Sequence, residues 1–105
     1  MYDDHEGLKL LLTYNLQPDQ VNDYRRFMLG RYVPAVQALG LEMADAFHTA
    51  YGDHPNRLIV FVARDRETMD SAINNEAWEM LNEQMARFVT EFTYKIVPFR
   101  EGFQI

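Results

Sequence analysis

The sequence predicts an α+β domain with the element order β-α-β-β-α-β and an antiparallel sheet. Three observations carry that expectation. Apolar residues alternate with a period of two in three stretches and run unbroken through a fourth, they recur at three- and four-residue steps in the regions between, and the breaks are dense in Gly, Pro, Asn and Asp. The 105 residues amount to one domain, spanning 1–105. At 48% hydrophobic and 25% charged residues, the chain is apolar enough to bury a core and unlike a disordered one.

Leu8 to Asn15 reads as the first strand, with Leu8, Leu10, Leu12 and Tyr14 on one face and Lys9, Leu11, Thr13 and Asn15 on the other. Gln17-Pro18-Asp19 opens a helix: proline is suited to the first turn, where its missing N–H has no intrahelical use, and Asp19 favours the positive end of the helix dipole. Val21, Tyr24, Phe27 or Met28, and Tyr32 form its apolar stripe. Pro34 would meet the carbonyl of Gly30 in a regular α-helix, which predicts a kink or broken turn over 30–34. Gly40 ends the helix.

Leu41 to Tyr51 alternates again, with Met43, Asp45, Phe47, Thr49 and Tyr51 on one face and Glu42, Ala44, Ala46, His48 and Ala50 on the other. The turn formers Gly52 to Asn56 then lead into Arg57 to Arg64, apolar on both faces, so the two segments read as a hairpin. Asp65 to Ile73 reads as a short helix with Met69 and Ile73 inward. Asn74 and Asn75 interrupt it and can cap a second helix from Glu76, along which Trp78, Leu81, Met85, Phe88 and Phe92 keep helical spacing. Thr93 to Phe99 closes as the fourth strand, with Tyr94 and Ile96 opposite Lys95 and Val97.

Charge and composition exclude several classes of function. A net charge of −6 repels the phosphates of nucleic acids and an anionic membrane surface alike. With no cysteine, the chain has no disulfide, thiolate metal site or thiol nucleophile. The polar, acidic Met1 to Gly7 lacks the character of a signal peptide, and no stretch approaches the length of a membrane span, so a cytoplasmic protein is expected. Ser71 is the single serine, and there is no Gly-rich phosphate loop.

The β-α-β-β-α-β order is the split, ferredoxin-like arrangement, in which helices cover one face of the sheet. The other face should be polar in a monomer. Here the third strand is apolar on both sides, Leu11 stands between Lys9 and Thr13, and Val97 and Phe99 flank Lys95. A second copy covering that face is the economical answer, so a homodimer is expected.

The layout of nearly the whole chain, and the closing stretch Trp78-Glu79-Met80-Leu81 through Phe88-Val89-Thr90-Glu91-Phe92-Thr93-Tyr94-Lys95-Ile96-Val97-Pro98, resembles the dimeric α/β-barrel superfamily. It is similar to the branch with the NIPSNAP-like and antibiotic-biosynthesis-monooxygenase-like small proteins. The resemblance is one of layout and pattern, without a diagnostic motif. It implies a homodimer whose two sheets form a barrel, and no single activity, since the superfamily holds cofactor-free oxygenases, haem-handling enzymes and lactone isomerases. Haem degradation in relatives of this layout uses an axial histidine on the second helical region and an asparagine on the first strand. Asn15 matches the latter, but Asp65 to Phe92 contains no histidine, so that reading fails on its central ligand.

His48, among alanines in the second strand, is the candidate acid–base group. Tyr14, Asn15, Tyr51, Trp78 and Tyr94 are the candidate substrate-binding residues, of the kind that would hold an ionisable aromatic molecule, although aromatics at this spacing equally serve as core. His5, His48 and His54 fall in unrelated elements with no ligand spacing, so no metal is expected, and no cofactor either. Arg25, Arg26 and Arg31 form a small basic patch expected to pair with Asp19, Asp23 or a partner. Two functions remain open. One is a dimer binding a small apolar or aromatic molecule in a pocket between sheet and helices near the kinked helix, with a cofactor-independent oxygenase or isomerase as its catalytic extension. The other is a non-catalytic dimeric interaction module with a filled barrel.

Overall fold

The computed structural model describes residues 7–48 and 57–98. Its elements are β1 (Leu8–Leu16), a 3-10 turn (Pro18–Gln20), α1 (Val21–Phe27), a π-helical turn (Met28–Tyr32), α2 (Val33–Ala38), β2 (Glu42–His48), β3 (Arg57–Ala63), α3 (Arg66–Ile73), α4 (Glu76–Met85) and β4 (Val89–Pro98). The strands form one antiparallel sheet in the order β2-β3-β1-β4, which is the expected α+β, ferredoxin-like architecture. The proposed hairpin loop, Tyr51 and Phe99 lie outside the described residues.

Register assigns the faces. Leu8, Leu10 and Leu12 stand opposite Ala63, Phe61 and Ile59 on β3 and opposite Pro98, Ile96 and Tyr94 on β4. This is the helix-covered face, and Leu10, Leu12, Phe61 and Ala63 are fully buried on it. From the other layer, Tyr24, Met28, Tyr32, Val36, Met69, Trp78, Leu81 and Met85 complete the core. The opposite face aligns Leu11 with Val60 and Lys95, and Lys9 with Val62 and Val97.

The kink expected near Pro34 takes the form of the π turn. The Val33 N–H bonds the carbonyl of Met28, one residue further back than in an α-helix. The wider turn relieves the contact between the Pro34 ring and the preceding turn, so the chain stays helical without breaking. It also explains the spacing of the buried residues. Tyr24, Met28, Tyr32 and Val36 come at strict four-residue steps, which in a pure α-helix drift by roughly 40° each. A turn that advances less per residue holds them in line.

The helix ends as expected at Gly40, whose φ is 103° and where an added Cβ would stand 2.8 Å from Thr68 Cγ2. Asp65 caps α3 by accepting from the Thr68 N–H at 2.8 Å, and Asn75 caps α4 by accepting from the Ala77 N–H at 2.8 Å.

Two expectations are corrected. The second helix stops at Met85, so Phe88 lies in the following turn and Phe92 on β4. Their helical spacing with Trp78 arises because turn and strand still direct both rings into the same core. In β2 the register shifts between Met43 and Asp45, which places Met43 opposite Phe61 but Asp45 opposite Val60. The strict alternation read from the sequence therefore breaks at a bulge. A second bulge lies where Thr13 pairs with Thr93 and Asn15 with Thr90, and there Glu91 takes a positive φ of 53°.

Candidate functional site

The polar groups of the interior are phenols. Tyr14 is fully buried on the helix side of β1, and its hydroxyl is hydrogen-bonded to that of Tyr24 on α1. Phe92 stacks on the Tyr14 ring at 6.0 Å, and Tyr24 meets it edge-on at 5.9 Å. Tyr32, also fully buried, donates to Asn82 Oδ1 at 2.8 Å. Burial pushes the Tyr14 hydroxyl far above the ordinary phenol range; Tyr24 pushes the same way, and the Arg57 guanidinium pulls weakly against both. Burial likewise raises Tyr32, opposed by the nearby Trp78 indole. Both hydroxyls are therefore neutral and act as hydrogen-bonding groups rather than bases.

His48 closes β2 opposite Arg57, which in turn stands opposite Tyr14. The row His48, Arg57, Tyr14 thus crosses three strands on the helix side of the sheet, while Asp45 belongs to the other side, as the sequence suggested. Arg57 is hydrogen-bonded to His48 Nδ1. A guanidinium only donates, so Nδ1 is the accepting nitrogen in this contact and Nε2 is the one left to donate. His48 is exposed, as is every residue of β2.

The remaining candidates do not converge on one point. Asn15 faces away from the helices and its side-chain amide donates to Glu91, bracing the bulge in β4. Trp78 is buried on α4, its indole N–H has no hydrogen-bond partner, and its ring meets Tyr94 edge-on at 4.8 Å. Tyr94 keeps 46% of its surface exposed. The structure thus brings together Trp78 with Tyr94 and Tyr14 with Arg57 and His48. Tyr24, Tyr32, Asn82 and Arg57 join these clusters without having been singled out: the two tyrosines lie on the helical stripe and read as core. Among the described residues, no three histidine, aspartate or glutamate side chains are grouped as a metal ion requires.

Three hollows bear on ligand binding. On the open face, a dip of about 460 Å³ is lined by Leu11, Thr13, Leu58, Thr93, Tyr94 and Lys95. The Thr13 and Thr93 hydroxyls are bonded to each other within it at 2.8 Å. Outside the helix layer, a groove of about 490 Å³ runs between the π turn and α4, bounded by Gly30, Pro34, Ala35, Ala77, Met80 and Leu81 with Arg31 and Gln84. A smaller hollow of about 180 Å³ continues it past Arg31 and Gln84 to Phe27, Arg87 and Phe88. The pocket near the kinked helix therefore lies on the outer side of the helices, and the residues facing each other between helices and sheet are closely buried.

No family model and no curated protein matches the sequence. Solved structures do match the fold. A NIPSNAP-like domain protein from Burkholderia xenovorans is similar with a TM-score of 0.65 and 15% identity, over 96% of this chain and 91% of that one. A proposed antibiotic biosynthesis monooxygenase from Caulobacter crescentus gives 0.72 at 9% identity, over 93% of each chain. A NIPSNAP family protein of unknown function from Agrobacterium tumefaciens gives 0.66 at 11% identity, over 97% and 96%. The likeness is one of fold, and it agrees with the resemblance carried by the layout and closing stretch of the sequence.

Proposed function

We propose that the chain is a homodimeric α/β-barrel protein that binds a small apolar or aromatic molecule. The observation that carries this reading is the open face of the sheet, where Leu11, Leu58, Val62 and Val97 lie half-buried around a buried Val60 and Phe47, opposite Leu58, is 52% exposed. A broad apolar patch of this kind marks an interface, and a two-fold pair of identical faces is the commonest way to cover one. In that assembly the dip beside Leu11 becomes an enclosed chamber. Its volume falls within the roughly 300–1,000 Å³ of small-molecule sites, and its lining of two leucines, three hydroxyl-bearing residues and one lysine suits such a ligand.

For a cofactor-independent oxygenase or isomerase, the acid–base group would be His48, with Arg57 fixing its tautomer. Its substrate would then sit on the helix side, beside Tyr14 and Arg57. The likeness to structures described as monooxygenases supports that extension at the level of fold alone. The second reading, a non-catalytic module, is favoured by the close packing between sheet and helices, where Leu10, Leu12, Tyr14 and Phe61 are fully buried.

Native mass spectrometry of the purified protein, followed by denaturation of the same sample, tests the proposal. The expected mass is twice 12.4 kDa plus an adduct released on unfolding, with Leu11→Asp giving a folded monomer without the adduct. A bare dimer selects the non-catalytic module. A monomer at micromolar concentration overturns the dimer and the chamber with it.

A further inference from the structure

The groove outside the helix layer is separate from the open face and from the phenols, and it has its own chemistry. Its floor and walls are small or apolar: Gly30, Pro34, Ala35, Ala77, Met80 and Leu81. Met80, on its wall, is 58% exposed, a large unbranched side chain able to settle against varied apolar shapes. Gly30 has nothing within 4 Å of where a Cβ would stand, so the groove is open beside it. The two polar groups at its end, Arg31 and Gln84, are arranged relative to each other, the Arg31 Nε donating to Gln84 Oε1 at 2.9 Å. That bond orients the guanidinium through its inner nitrogen and leaves the two terminal nitrogens as a fork for an anion. The smaller hollow beyond brings Arg87 to the same end, with Phe27 and Phe88.

Charge sharpens the picture. The chain is acidic overall, at −6, and α4 itself carries Glu76, Glu79 and Glu83. Arg31 and Arg87 nevertheless meet at one hollow whose lining holds no carboxylate. Arg26, elsewhere in the basic patch, pairs with Asp23 at 3.9 Å, but Arg31 uses a neutral amide instead. An anion would thus meet two guanidinium groups with an apolar channel leading away from them.

We propose that this groove binds an amphiphile with a carboxylate head and an unbranched apolar tail, the head between Arg31 and Arg87 and the tail along Gly30, Ala77 and Leu81. About 490 Å³ is ample for a chain of medium length. The probes are decanoate and its neutral counterpart decanol, titrated by calorimetry into the native dimer or monomer below their aggregation concentrations. Decanoate is expected to bind at least tenfold more tightly than decanol. Arg31→Met should abolish that preference while the tail still binds. Gly30→Leu, which adds a side chain into open space and leaves the core untouched, should block both probes, with unchanged circular dichroism showing that the fold persists. Equal binding of the two probes overturns the anionic head, undiminished binding to Gly30→Leu overturns the location, and no binding of decanoate at 1 mM, on the order of the weakest specific sites, overturns the site. None of these outcomes bears on the oligomeric state, so the dimer stands or falls separately.

Discussion

At the scale of single residues, the interior is notable for carrying its polarity on phenols. Tyr14 and Tyr24 satisfy each other, and Tyr32 is satisfied by Asn82, so each of these hydroxyls enters the core with a partner, as most buried polar groups do, while the buried Trp78 indole N–H does not. The cost appears in alkali. Burial holds Tyr14 and Tyr32 neutral in the fold, whereas in the unfolded chain both ionise near pH 10. The unfolded state therefore sheds protons first. Stability should be flat below about pH 10 and fall above it, by up to about 1.4 kcal/mol per pH unit for each phenol. Urea denaturation at intervals between about pH 8.5 and 11.5 measures this, and Tyr14→Phe should make the decline shallower by about one phenol's share. Tyr14 and Trp78 were legible in the sequence as candidate residues because each stood at a defined position of a defined element. Tyr24 and Tyr32 were not, since an aromatic on a helical stripe looks the same whether its hydroxyl is paired or not. Glu91 carries no sign of its positive φ either; glycine or asparagine would have announced it.

At the scale of elements, what could be read were the local signals. Pro18, Gly40 and Asn75 each act within three residues of themselves, and the structure finds each in the role its chemistry implies; Asp65, read as the first residue of its helix, caps it instead. Asn75→Ala should cost about 1 kcal/mol by loss of the α4 cap, read as a lower urea midpoint with unchanged slope. Gly40→Ala should cost more than about 1 kcal/mol, because it adds backbone strain at positive φ to a clash with Thr68; a thermal melt would show it. Features that depend on two strands at once were out of reach. The bulges at Ala44 and Glu91 exist only as a mismatch between neighbours, and nothing in β2 or β4 alone records the residue count of the strand beside it. The end of α4 was misplaced for a related reason: Phe88 and Phe92 point into the core from non-helical backbone.

At the scale of the molecule, the architecture followed from element order, and the sheet's uncovered side from the apolar residues placed on it. The candidate site was legible only in part, because His48 lies on the helix side through a register that parity alone leaves undetermined. If two copies meet across the open face, stability depends on concentration, since dilution favours the separated chains. The melting temperature should rise by several degrees between about 1 and 100 μM for the native chain. Phe47→Asp, which places a charge at an exposed position beside Leu58 on that face, should remove that dependence.

The π turn has a consequence for chain length. A wide turn is an α-helix holding one residue too many. Remove Gly30 and the buried positions Tyr24, Met28, Tyr32 and Val36 fall at steps of four, three and four, the rhythm of an uninterrupted α-helix. Pro34 would then press on the Leu29 carbonyl, which the deletion brings four residues before it, so the deletion needs Pro34→Ala beside it. A shortened chain carrying both changes should fold with the same core, as proton NMR of the buried rings would show. Removing Asn22 instead, about two turns earlier, leaves the wide turn in place, swings Val21 and the chain before it by about 100°, and should not. At the π turn, then, the helix contains a removable residue.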